Sequence, residues 1–230
     1  MKVLAVDTST MISSVGVLDG KYALGEYSLN QVKTHSELLL PMVGDLLTNL
    51  GLELKDMDLL AVAKGPGSFT GLRIGMSAVK SIAQVLDKKI VGISTLEALA
   101  YGIISDKKIM PIIDARGKRL FAGIYSWEDG NLINMKEDGL YKQKDLVEFL
   151  KTTDEEFVLV GDALHLIEKD LVGYDNLTLA KASKNNCLAI NIADLARIKA
   201  ERGEFDSYFD LSPNYIRKSQ AELDYEKRNK

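Results

Sequence analysis

The stretch KGPGSFTGLRIG, from Lys64 to Gly75, holds four glycines, a proline, two hydroxyl side chains and an arginine within twelve residues. Glycine lets a backbone approach a ligand closely, and N–H groups at the start of a helix attract anions, so such a loop could cradle phosphate. It is not a Walker A loop, because no Gly-Lys-Ser/Thr ending follows. Nor is it G-x-G-x-x-G, because Thr70 stands where the third glycine belongs. Two readings remain open. In one, Gly65, Pro66 and Gly67 form a tight turn, Ser68 or Thr70 caps a helix that follows Phe69, and Arg73 lies one turn in. In the other, the same helix start contacts an anion.

Other chemistry is sparse. The two histidines, His35 and His165, lie in unrelated sequence contexts, and a metal pair on the helix after His35 would need a second ligand where Leu39 stands. No Ser-His-Asp set and no zinc spacing can be assembled, so neither a catalytic residue nor a metal ligand is assigned. The single cysteine, Cys187, is flanked by Leu188, Ala189 and Ile190 and reads as a small buried hydrophobe. With net charge −4 over 230 residues, the chain is poorly suited to hold a polyanion unaided, although a local basic patch stays open. The apolar run before Asp7 is too short for a signal peptide and nothing approaches a membrane span, which implies a cytoplasmic protein.

The elements that would position these residues follow from periodicity. Lys2 to Val6 reads as a buried strand ending at Asp7, and Ser14 to Leu29 as a hairpin turning at Asp19-Gly20. Thr34 and Glu37 form a capping-box pattern ahead of a helix ending at Gly51, which Pro41 should kink. Asp58 to Gly65 reads as a strand feeding the glycine loop, and a second helix spans about 70–86. KIVGI is a further strand, and Ser94 with Glu97 caps a third helix. The pattern describes an α/β layered fold.

The second half repeats the first. Placing IIDARGKRLFAGIY under AVDTSTMISSVGVL puts Asp114 under Asp7 and Gly123 under Gly16, both 107 residues apart without a gap. Residues 1–104 and 105–230 are therefore read as two related half-domains, joined near 101–108, with the last segment packing back on the first half. Two halves that each open with strand, aspartate and hairpin describe an actin-like architecture, whose aspartate loops face each other across a cleft. The usual glycine is missing from Asp7-Thr8-Ser9-Thr10, and Asp114-Ala115-Arg116-Gly117 carries a bulky arginine, so the nucleotide site reads as degraded. Both early helices are apolar nearly all round, and Gly71 with Gly75 adds a small-residue face. That composition predicts an interface with another subunit formed by Leu38, Leu39, Met42, Leu46, Gly71, Leu72, Gly75, Met76 and Val79.

DTST with Asp7, Ser9 and Thr10, HSE opening at His35, KGPGSFTGLRIG, the DAR loop and PNYIRKSQAE with Tyr215 and Arg217 together resemble the bacterial TsaB (YeaZ) family across nearly the whole chain. The resemblance implies an actin-like ATPase fold. It also implies a non-catalytic subunit that binds TsaD, its catalytic paralogue, through the two N-terminal helices. The complex forms N6-threonylcarbamoyladenosine at position 37 of tRNAs reading codons that begin with A, and a TsaE-like ATPase joins it. On this reading the chain has no cofactor of its own, ATP or ADP enters only at a complex interface, and tRNA is met only through the complex. A kinase of the actin-like class, an inactive glycoprotease-like protein and a stand-alone homodimer using the same helices are the alternatives.

Overall fold

The computed structural model describes residues 1–30 and 35–216. Two five-stranded sheets share one design. The first contains β1 (Lys2–Asp7), β2 (Ser13–Asp19), β3 (Tyr22–Leu29), β4 (Leu59–Gly65) and β5 (Lys89–Ser94), in the order β3-β2-β1-β4-β5. The second contains β6 (Lys108–Asp114), β7 (Arg119–Glu128), β8 (Asn131–Lys142), β9 (Phe157–Val160) and β10 (Leu177–Leu179), in the order β8-β7-β6-β9-β10. In both, the three leading strands pair antiparallel and the other two join in parallel. This is the actin-like duplication expected from the two aspartate loops.

The register corrects the ungapped alignment in one place. Ala5 pairs Gly16, whereas its counterpart Ile112 pairs Ala122, so Gly16 corresponds to Ala122 and not to Gly123. The connection after Asp114 is one residue shorter than the one after Asp7. The first hairpin also turns one residue later than expected: Asp19 pairs Tyr22, leaving Gly20 and Lys21 as the turn.

Alternation along the strands sorts the chain into five layers. α1 (His35–Leu50) and α2 (Phe69–Leu86) cover the outer face of the first sheet, packing Leu39, Met42, Met76 and Val79 onto Leu4, Val6, Leu60 and Val62. Between the sheets lie α3 (Thr95–Tyr101) and α5 (Ala189–Glu201), where Leu99 and Ile192 meet Val3, Ala5, Ile109 and Ile113. α4 (Gln143–Thr152) covers the outer face of the second sheet, setting Leu146 and Leu150 on Met110, Ile112 and Leu159. α5 comes late in the sequence but is fixed to the first half: the Ala189 N–H donates to Ser14 Oγ at 3.0 Å and the Ile190 N–H to Glu26 Oε1 at 3.1 Å.

Residues 206–215 form a strap over the free edge of the first sheet. The Asp206 N–H donates to the Ile90 carbonyl, the Gly92 N–H to Asp206 Oδ2 at 2.7 Å, and Lys80 Nζ to the Leu211 carbonyl at 2.9 Å. Backbone pairing of this kind satisfies an edge strand that would otherwise recruit another chain. No helix among the described residues is long and apolar enough to cross a membrane. Thr34, proposed as the cap of α1, lies outside the described residues.

The early helices need a second correction. Of the nine residues assigned to a partner surface, Leu39, Met42, Leu46, Gly71, Leu72, Gly75, Met76 and Val79 are buried in the chain's own core, and only Leu38 is half-exposed. When a helix is apolar on all sides, periodicity does not tell which side the sheet will take. Adjacent leucines on α1 test the assignment. Leu39 is 1% exposed and Leu40 is 57% exposed. Chemical denaturation should find Leu39→Ala destabilised by about 2–5 kcal/mol and Leu40→Ala within about 0.5 kcal/mol of the wild type.

Candidate functional site

The two aspartate loops, the start of α2 and the end of the strap enclose a cleft of about 690 Å³. Ser9, Thr10, His35, Gly67, Ser68, Phe69 and Thr70 reach it from the first half. Asp114 and Arg116 reach it from the second, and Tyr215 from the strap. Most of the residues singled out by sequence motif therefore meet in one place. Arg217 lies outside the described residues.

The repeat is visible in atomic detail. The Ser9 N–H donates to Asp7 Oδ1 at 2.8 Å, and the Arg116 N–H donates to Asp114 Oδ1 at 2.7 Å, the same aspartate turn 107 residues on. The surroundings differ. Asp114 lines the cleft and pairs with the Arg116 guanidinium at 3.7 Å, while an Arg116 nitrogen reaches Met11 Sδ at 3.7 Å across the opening. Asp7 is fully buried and does not line the cleft. Its Oδ2 is sealed from solvent beside the Ser9 hydroxyl and the Cys187 thiol.

The glycine loop explains why. Its glycines accept the chain's own backbone. A Cβ on Gly67 would collide with the Ser9 carbonyl oxygen, one on Gly71 with the Thr8 carbonyl oxygen, and one on Gly75 with Thr8 Oγ1. Thr8 Oγ1 donates to the Gly71 carbonyl at 2.7 Å, and the Ser68 N–H donates to the Ser9 carbonyl at 2.6 Å. Ser68 is the N-cap of α2 and accepts from the Gly71 N–H at 3.3 Å. The small-residue face of α2 thus receives the Thr8–Ser9 segment, and two donors at the helix start are engaged within the chain. Arg73, exposed one turn in, donates from Nε to Tyr215 Oη at 2.9 Å, and Tyr215 stacks on Phe69 with ring centroids 3.9 Å apart. The Asn214 N–H donates to the Lys64 carbonyl at 2.6 Å and closes this corner.

The histidines are brought together as sequence context did not suggest, since both line the cleft. His35 Nδ1 is 2.7 Å from Ser13 Oγ, and His165 Nδ1 is 2.7 Å from the Asp162 carbonyl oxygen. Asp162, which pattern reading missed, accepts from the Asp114 N–H at 3.2 Å, and burial raises its pKa. Its only sequence signal is the Gly161 before it, at the end of a strand echoing β4. Among the described residues no group of three or more His, Cys, Asp or Glu side chains converges as a metal site.

Burial also dominates at Asp7, whose pKa is raised from 3.8 to about 6. The Ser9 side chain and N–H and the Cys187 thiol offset part of that, and the nearby Asp162 charge adds to it. Cys187 is itself fully buried, and burial with the Asp7 charge pushes its thiol up.

Comparisons with known proteins agree in direction. The family model TsaD, described as tRNA N6-adenosine threonylcarbamoyltransferase, matches residues 23–225. The chain is 34% identical over 227 residues to the tRNA threonylcarbamoyladenosine biosynthesis protein TsaB of Bacillus subtilis, covering 96% of each. It is 31% identical over 165 residues to the protein of the same name in Escherichia coli, covering 70% of this chain and 71% of that one. Among solved structures, YeaZ from Pseudomonas aeruginosa superposes with a TM-score of 0.78 at 26% identity, covering 93% of this chain and 99% of that chain. The ethanolamine utilization protein EutJ from Carboxydothermus hydrogenoformans shares the fold, with a TM-score of 0.54 at 14% identity over 84% of this chain and 89% of that one.

The raised pKa of Asp7 sets a pH dependence. A folded-state pKa above the unfolded value means that the native state holds the proton more tightly. The resulting stabilisation is complete below about pH 4 and is lost as pH rises through about 6. The loss amounts to about 3 kcal/mol. Asp7→Asn keeps an oxygen for the Ser9 N–H and removes the titration. Its melting temperature relative to wild type should therefore climb between pH 4 and pH 7.5, as followed by thermal circular dichroism. A constant difference over that range would refute the assignment.

Proposed function

Since the chain belongs to the TsaB family of tRNA threonylcarbamoyladenosine biosynthesis proteins, we propose that it is the non-catalytic subunit of a tRNA-modifying complex. It binds and activates a TsaD-like catalytic subunit that forms N6-threonylcarbamoyladenosine at position 37 of tRNAs reading codons that begin with A. A TsaE-like ATPase joins the assembly, in the cytoplasm.

The observation that carries this reading is the outer layer formed by α1 and α2. Leu40 and Val85 are 57% and 82% exposed there, beside the half-buried Leu38, Ile74, Ala78 and Ile82. These outward apolar side chains on the layer of two helices support a protein contact there. Gly44 is exposed on α1 with open space where a Cβ would stand, so a partner helix has room to come close. The docking surface is thus assigned to the outward residues of the two helices.

The non-catalytic reading is supported by how the would-be chemical groups are used. Asp7 is sealed beneath the cleft, the start of α2 is packed by Thr8 and Ser9, His35 is bonded to Ser13, and Leu39 faces the core. A kinase would need Asp7 to reach a phosphate-bound cation. In this reading the chain itself carries no cofactor, and ATP or ADP could bind only at an interface between subunits. Without its partner, two copies can pair through the same helices.

Size-exclusion chromatography with light scattering tests the surface, using the chain mixed with the TsaD-like subunit of the same organism. Wild type should form a heterodimer. Leu40→Asp and Val85→Asp, each confirmed as folded by circular dichroism, should weaken it at least about tenfold, as loss of a central apolar contact of about 1.4 kcal/mol or more requires. Undiminished binding by both variants would remove these helices as the partner surface.

A further inference from the structure

We propose that a basic groove on α4 and the turn before β7 binds the phosphate backbone of RNA, so that this chain supplies part of the complex's grip on its tRNA. The proposal rests on the tRNA-modifying role given above.

The groove has a volume of about 940 Å³ and lies on the outer layer of the second sheet. Lys118, Arg119, Lys142, Lys144 and Lys151 line it, opposed by two carboxylates, Glu148 and Asp170. Five cations against two acids stand out in a chain whose net charge is −4. Among the described residues none of the five forms an ion pair with a carboxylate. The Nε of Arg119 is buried, with no hydrogen-bond partner among the described residues.

Two features show that these charges are held in place against local preference. Lys142 is the N-cap of α4, with no side-chain cap, and Lys144 follows in a first turn that holds one acid, Asp145. A helix N-terminus carries partial positive charge and disfavours cations, so a phosphate there would relieve both the dipole and the lysines. Arg116, Gly117 and Lys118 all take left-handed backbone conformations, with φ of 62°, 64° and 58°. For the two non-glycine residues that geometry is disfavoured by the Cβ. The turn accepts that cost and brings Lys118 and Arg119 beside the start of α4, where the Gln143 N–H donates to the Lys118 carbonyl.

Placement favours RNA over a second protein. The groove's five cations against two carboxylates give it the excess positive charge that a phosphate backbone neutralises and that the centre of a protein contact is depleted in. It is also on the opposite outer layer from α1 and α2, so a subunit docked on those helices leaves it open.

Fluorescence anisotropy with a labelled tRNA transcript tests the proposal, with the chain bound to its TsaD-like subunit and potassium chloride varied from 50 to 300 mM. The triple variant Lys142→Gln, Lys144→Gln, Lys151→Gln should bind at least tenfold more weakly at 100 mM salt. Its log–log salt slope should be shallower by about 2–3. Glu148→Gln, which removes opposing charge, should tighten binding about two- to threefold. The same ordering should hold for the isolated chain at 50 mM salt, so a failure of heterodimer formation and a failure of the groove are separately visible. Unchanged affinity and slope in a triple variant that still binds its partner would overturn the assignment. So would binding of wild type to anionic lipid vesicles but not to the transcript.

Discussion

The Thr8–Ser9 backbone lies directly on the first turns of α2, and three glycines permit it. This contact joins the aspartate loop at the end of β1 to the helix after β4. The sheet can then be covered by α2 at close range, and two donors at the helix start, the Ser68 and Gly71 N–H groups, are engaged without a ligand. Any larger residue at 67 or 71 would force two backbones apart in the middle of the first half.

Much of the rest follows from that closeness. With the loop pressed down, Asp7 turns inward beside Ser9 and the Cys187 thiol instead of facing the cleft, and burial makes its charge costly. In the second half the close glycine contact falls before the aspartate, with Gly161 against the Ile112 carbonyl, and not on the segment after it. Its Asp114 keeps the same turn but remains at the cleft wall, beside an arginine that spans the opening. One duplicated unit therefore carries two different endings: a sealed aspartate in the first half and an open, charged loop in the second. The strap completes the first half by pairing with β5 and stacking Tyr215 on Phe69.

The sequence made the duplication legible because an aspartate ending a buried strand is a rare and fixed landmark. The hairpin after it was less legible, because shortening a loop by one residue shifts pairing without changing the apolar pattern, as Gly16 and Ala122 show. Gly71 and Gly75 announced that another backbone comes close but not whose, and it proved to be the chain's own. The strap was invisible to periodicity, since Asp206 and Asn214 are held by backbone hydrogen bonds and not by an apolar stripe. Asp162 and His165 reach the cleft through the fold alone.

The resulting account divides labour across the layers. In the proposed reading the outward sides of α1 and α2 hold the catalytic partner, the groove on α4 faces RNA, and the cleft between the aspartate loops is a structural remnant. Reconstituted threonylcarbamoylation of tRNA tests that division most directly, comparing Asp114→Asn with Arg116→Ala in the cleft against Leu40→Asp with Val85→Asp on the helices. The account predicts that the cleft pair supports modification at close to the wild-type rate while the helix pair supports almost none. Loss of modification by the cleft pair, with complex formation intact, would contradict it and make the cleft a working site.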